Sequence, residues 1–208
     1  MLPLDTLLTF VGAATLLSWA PGPDNLFVLT QSALGGRAVG VFVTLGLCTG
    51  LIVHTIAVAL GVAAIFQTSQ FAFDALKIIG AGYLVYIAYK SFRAKPQELR
   101  TAGSTDVNMM NMYMRGIVMN VTNPKVAIFF LAFLPQFTSP DSGNMAVQMM
   151  MLGGIFILCA LVSFILISVL AGALSDWLRR SQRGQLWLNR LAGVVFIGLA
   201  FRLATSQR

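Results

Sequence analysis

Apolar residues in this chain come in long blocks rather than in alternation. No Asp, Glu, Lys or Arg occurs from Ala38 to Phe73, or again from Ser142 to Ser175. A helix needs about 20 apolar residues to cross a bilayer, and both blocks exceed that. No period of two runs through them, and they are too long for barrel strands. In lipid the backbone must satisfy its own hydrogen bonds, so helices remain. The pattern predicts six of them, over 4–33, 39–66, 71–92, 113–135, 145–173 and 187–205, with the first broken near 21–24 and the fourth near 123–125.

The two breaks are related. Pro23-Asp24 aligns with Pro124-Lys125, and the third and sixth helices share short internal repeats. Ile79-Gly80 and Ile87-Ala88-Tyr89-Lys90 match Leu191-Ala192 and Leu199-Ala200-Phe201-Arg202 by residue type. Each half then has three helices, and an odd number inserts the second half upside down relative to the first. The fold class expected is an all-α integral membrane protein of six transmembrane helices, built as two inverted three-helix repeats. It forms a single membrane domain: repeat 1 over 1–92, a polar cytoplasmic connector over 93–112, and repeat 2 over 113–208. Inverted repeats with discontinuous helices are a transporter architecture, with the substrate site near mid-membrane.

Composition agrees with this picture. Of the 208 residues 57% are hydrophobic and 10% charged, with a mean hydropathy of +0.81. Soluble domains average about 25% charged residues. The net charge of +7 would suggest nucleic acid, but the basic residues sit in short loops and form no basic face. They sort instead by side. Arg37, Lys90, Arg93, Lys95, Arg100, Arg115, Arg179, Arg180, Arg183 and Arg190 fall on one side, and Lys77, Arg202 and Arg208 on the other. The positive-inside rule puts the larger group in the cytoplasm and both termini in the periplasm of a bacterial inner membrane. The first apolar stretch opens with Asp5, lacks a basic leader and runs on through Pro21, so it reads as a retained helix. Cys48 and Cys159 lie inside apolar helices without a motif, and no metal site, disulfide or cofactor is expected.

The candidate chemistry concentrates at the breaks. Pro21 and Pro23 flank Gly22, followed by Asp24 and Asn25. Proline removes a backbone donor and clashes with the preceding turn, so the helix unwinds and frees backbone groups. The second half-helix presents its amides and positive dipole end to an anion. Asn123-Pro124-Lys125 is the same device with the opposite charge, next to Asn120 and Thr122. Lys125 with helix amides and Asp24 with loose carbonyls would complement the carboxylate and ammonium of an amino acid. A buried Asp24–Lys125 pair that only fixes helix packing is the plainer alternative, although desolvation can cost more than such a pair returns. Intramembrane ionisable groups are functional candidates by default.

His54, the one histidine, lies in the second helix among apolar residues. It reads either as a packing histidine bonded to a carbonyl or as a proton-coupling group, with Asp24 the rival proton carrier. Asp74 and Lys77 are three apart and can pair on one helix face. The charge-free stretch between Lys77 and Lys90 is only twelve residues, too short to span unless those lysines reach outward. No Walker loop, dinucleotide fingerprint, zinc motif or hydrolase elbow is present. A membrane-embedded enzyme or thiol carrier, and a passive small-solute channel, stand as alternatives. The first would need a clustered nucleophile and base or paired cysteines, the second a polar stripe through several helices.

These motifs carry a family resemblance over nearly the whole length. Pro21-Gly22-Pro23-Asp24-Asn25, Thr49-Gly50 with His54, Lys77 with Gly80-Ala81-Gly82-Tyr83-Leu84, Asn120-Val121-Thr122-Asn123-Pro124-Lys125 and Leu134-Pro135-Gln136-Phe137 together resemble the LysE/RhtB superfamily of bacterial amino-acid exporters. The Pro-Gln-Phe tail and His54 are most similar to its homoserine/threonine branch. The resemblance implies secondary export of neutral amino acids or close derivatives, threonine- or homoserine-like, coupled to protons, at Pro21, Gly22, Pro23, Asp24, Asn25, His54, Asn120, Asn123, Pro124 and Lys125. Members with five spans are also part of that family picture.

Overall fold

The computed structural model describes residues 2–68, 70–94, 107–139 and 142–205. All regular structure among them is helical. In chain order the helices are α1 (Leu4–Trp19), α2 (Pro23–Gly35), α3 (Arg37–Thr68), α4 (Gln70–Arg93), α5 (Met109–Val121), α6 (Pro124–Phe133), α7 (Met145–Arg180) and α8 (Gln182–Thr205), with a 3₁₀ turn at Leu134–Phe137 after α6.

Proline places both interruptions. A residue before proline is pushed out of the α region, and proline itself is preorganised for the first helical position. Ala20, before Pro21, stands at φ −62°, ψ 121°, and Gly22, before Pro23, is extended at φ −165°, ψ 180°. Asn123, before Pro124, stands at φ −78°, ψ 107°. The axes of α1 and α2 diverge by 57°, and the bend from α5 into α6 and its 3₁₀ turn is 52°.

Three helical segments are long and apolar enough to span alone: Arg37–Gly61, Met145–Ala171 and Arg183–Thr205. Each bent pair adds one if it crosses as a unit, giving up to five among the described residues. α4 is long enough at 24 residues but carries Asp74, Lys77, Lys90 and Arg93. Asp74 and Lys77 pair at 3.5 Å, the local pairing their spacing predicts.

Three boundaries differ from the sequence expectation. The polar stretch 174–186 is helical rather than a loop: α7 runs to Arg180 and α8 restarts after Ser181. No proline or glycine interrupts that stretch before Gly184, and the Ser181 hydroxyl accepts from the Gly184 amide at 2.9 Å, capping α8. α5 begins at Met109, with the Asn108 side chain accepting from the Asn111 amide, so Met109, Met110, Met112 and Met114 form its first turns. Most of the expected connector, 95–106, lies outside the described residues.

The core is apolar, as in a soluble protein, but the outer faces are apolar too and several polar side chains lie inside. Phe71, Trp187 and Phe201 are among the most exposed side chains, while Asp24, Asn25, Asn120, Asn123 and Gln148 are buried. Buried hydroxyls bond back along their own helices: Ser18 to Ala14 O, Ser32 to Val28 O, Thr44 to Gly40 O and Thr55 to Leu51 O. This satisfies them without water. α3 packs against α5 and α7, and α4 against α8 and α6. At the α3–α5 crossing the backbones nearly touch. A Cβ on Gly46 would strike the Tyr113 carbonyl, and one on Gly116 the Val43 carbonyl. Small residues at such crossings permit close approach in membranes.

Candidate functional site

The two breaks, about a hundred residues apart in sequence, meet in the fold. Asn123 joins them. As the N-cap of α6, its Oδ1 accepts from the Lys125 amide at 3.0 Å. Its Nδ2 donates to Asp24 Oδ1, in the first turn of α2, at 2.9 Å. One amide therefore caps its own half-helix and holds the acid of the other. α2 has no equivalent side-chain cap, because Gly22 occupies that position.

Lys125 reaches across to the same place. Its ammonium donates to the Ala20 carbonyl at 3.1 Å, one of the acceptors that Pro21 leaves without a helical partner. It also lies 5.4 Å from the centre of the Phe196 ring, within cation–π range. A Cβ on Gly22 would stand 3.1 Å from Nζ, so glycine admits the lysine to the break. The ion pairs among the described residues do not include Asp24 with Lys125. The pair that sequence alone offers as a packing device is bridged by Asn123 and by backbone instead.

Asn25 ties the two halves of the first break, its Nδ2 donating to Ser18 O at 2.6 Å. His54 Nε2 is 3.1 Å from the Asn120 carbonyl, and its ring lies 5.9 Å from that of Phe130. Asn120 is buried against Gly50, with its Oδ1 unpartnered.

A cavity of about 660 Å³ adjoins the breaks. Pro21, Gly22, Pro23, Asn25, Asn123, Pro124 and Lys125 line it, whereas Asp24, His54 and Asn120 do not. Asp24, 5% exposed, stands behind Asn123 rather than in the wall. Sequence reasoning missed the remaining walls: Trp19, Tyr83, Tyr86 and Ile87, with Lys90, Ser91 and Ala94 toward the end of α4 and Gln185 and Asn189 at the start of α8. Tyr83 belongs to a motif that carries the resemblance, but nothing in its spacing points it toward the breaks. On the other side of the breaks α6 leads into packed aromatic rings. Phe129 meets Phe133 at 4.6 Å and Phe156 at 5.4 Å, Phe133 meets Phe137 at 4.9 Å, and Phe137 meets Phe10 at 5.1 Å. The cavity is thus walled by α4 and α8 together with Trp19, Leu26, Leu29 and Ile167, and the phenylalanine cluster is not part of its lining.

Apolar outer faces, buried polar groups and two proline-broken helices meeting beside a cavity define a multi-pass membrane protein of the translocator kind. The chain belongs to the LysE-type translocator family, whose model matches residues 15–207. It is 31% identical to a homoserine/homoserine lactone efflux protein of Salmonella typhimurium, over 93% of each chain. It is 30% identical to an uncharacterized membrane protein of Pseudomonas aeruginosa over 95% of this chain and 94% of that one. A 26% match to an uncharacterized membrane protein of Bacillus subtilis covers 98% of this chain and all of the other. No solved structure matches.

Proposed function

We propose that this protein is a secondary exporter of amino acids or close derivatives in the bacterial inner membrane. Neutral substrates such as threonine or homoserine fall within its range, and protons drive it. The observation that carries the reading is the Asn123–Asp24 hydrogen bond, which joins the two breaks at a cavity holding the Lys125 ammonium. Lys125 releases the Ala20 carbonyl and donates to the substrate carboxylate instead. Asp24, held behind Asn123, takes the proton, and His54, bonded to the Asn120 carbonyl, is the second group able to carry one. Gly22, Asn25 and the three prolines keep the breaks open and aligned. The efflux role named for the Salmonella relative supports the same direction of transport.

Alternating access between inverted halves, 1–92 and 113–208, is the mechanism of this proposal. Its support is the similar bends at the two breaks and the packing of α3 on α7 and α4 on α8, the pairs that a pseudo-two-fold would relate. In this scheme α4 also crosses, as the third of six spans, and both termini are periplasmic. The cavity mouth then lies at the cytoplasmic side with Lys90, and the phenylalanine cluster closes the periplasmic side.

The test is efflux from proteoliposomes loaded with labelled amino acid under an imposed pH gradient. Uptake or efflux that collapses with a protonophore and disappears in Lys125→Met supports the proposal. Passage indifferent to both would mean a channel or another activity.

A further inference from the structure

The cavity beside the breaks carries charge of one sign among its described walls. Lys125 stands at the breaks and Lys90 toward the end of α4, while the buried acid Asp24 is not part of the lining. Several backbone acceptors near Lys125 already hold a donor from the protein itself. Ser18 O takes Asn25 Nδ2, Ala20 O takes Lys125 Nζ, and the Leu16 and Leu17 carbonyls share the Ala20 amide. One aromatic face is also occupied, with the Lys90 ammonium 5.4 Å from the centre of the Tyr86 ring. Much of the remaining wall is apolar or aromatic, including Trp19, Leu26, Leu29, Tyr83, Ile87 and Leu188. The volume of about 660 Å³ falls within the roughly 300–1,000 Å³ of sites that enclose drug-sized ligands.

We infer that this site recognises a carboxylate carried on a bulky apolar body and makes no demand on the α-amine, so that N-acylated amino acids and related apolar carboxylates are ligands alongside free ones. The inference rests on the exporter reading for Lys125 and extends it to a substrate class. A single negative head neutralises the lysine. A free ammonium beside that head brings a second positive charge, which finds like charge and no open carboxylate. An acyl group on the nitrogen removes that charge and adds apolar surface to be buried against the tyrosines and leucines.

The test is binding to the purified full-length protein in lipid nanodiscs, by calorimetric titration with N-acetyl-L-leucine, L-leucine, L-threonine and leucinol. N-acetyl-leucine is expected to bind at least as tightly as leucine. Threonine and the carboxylate-free leucinol should each bind about tenfold more weakly or worse. Lys125→Met should lose N-acetyl-leucine binding, and if that variant does not fold the wild-type ranking decides alone. Leucine binding with N-acetyl-leucine more than about tenfold weaker overturns the inference and leaves the exporter reading intact. Failure of both N-acetyl-leucine and leucine to bind also overturns it. Binding of N-acetyl-leucine by a protein that catalyses no counterflow in proteoliposomes would instead sink the exporter reading and leave this recognition standing.

Discussion

Asn123 donates to Asp24 across 2.9 Å and 99 residues of sequence. The same side chain caps α6 through its other atom. The amide orientation is therefore fixed from both sides: the capped N–H requires an oxygen, which leaves the NH₂ for the carboxylate.

Exchanging the two side chains tests that relationship. Asn123→Asp keeps an oxygen for the cap but sets two carboxyl groups together, and should destabilise the protein and stop transport. Asn123→Ala loses both bonds, and cap loss alone costs about 1 kcal/mol. In the double variant Asp24→Asn with Asn123→Asp, the hydrogen bond is remade in reverse and the cap is kept. Its thermal midpoint in detergent should recover most of the loss. Recovered stability without recovered transport would assign the role of position 24 to its charge.

Gly22 yields a second expectation. An alanine there meets the end of a flexible lysine at 3.1 Å, so the protein should fold. The ammonium must then give way by a few tenths of an ångström, which loosens its bond to the Ala20 carbonyl. Gly22→Ala is expected to raise the half-saturating substrate concentration by about tenfold with little change in thermal midpoint. A drop in midpoint without a change in transport would contradict this.

The α3–α5 crossing is a matter of stability rather than transport chemistry. Gly46→Ala and Gly116→Ala each push a methyl into a backbone carbonyl of the facing helix. Overpacking of this kind costs about 1–3 kcal/mol. Both variants should lower the thermal midpoint. Gly61→Ala, which meets nothing nearby, should leave it unchanged.

Much of the helix plan was legible because its signals are local. Proline positions alone locate both breaks, and charge-free length locates α3 and α7. Helix ends outside the apolar blocks were not legible, since the segment 174–186 is polar yet has no proline and no glycine before 184 to stop a helix. Within the site, the repeat alignment pointed to Asp24 and Lys125 as opposing charges. It could not show that Asn123 stands between the breaks, because side-chain direction depends on the extended backbone at the break. The cavity walls from α4 and α8 were hidden for a different reason. Tyr83, Tyr86 and Asn189 become neighbours of the breaks only through long-range packing, which leaves no periodic trace in the sequence.

Whether α4 crosses the membrane decides between five and six spans. Phe71 is 83% exposed near one end and Ser91 lies near the other. In a background lacking Cys48 and Cys159, Phe71→Cys should react with an impermeant maleimide from the periplasm, and Ser91→Cys only after the cytoplasmic side is opened. Labelling of both from one side would rule out six spans and the inverted repeat with them.

The most direct test of the central claim is transport by Asp24→Asn in proteoliposomes, compared with wild type, with and without a pH gradient. The account predicts that wild type accumulates substrate against its gradient when protons flow the other way. Asp24→Asn should sit in the membrane at normal levels, keep substrate binding through Lys125, and lose that accumulation. Accumulation by Asp24→Asn at the wild-type rate would contradict the account, because the acid joined to Asn123 would then have no part in coupling.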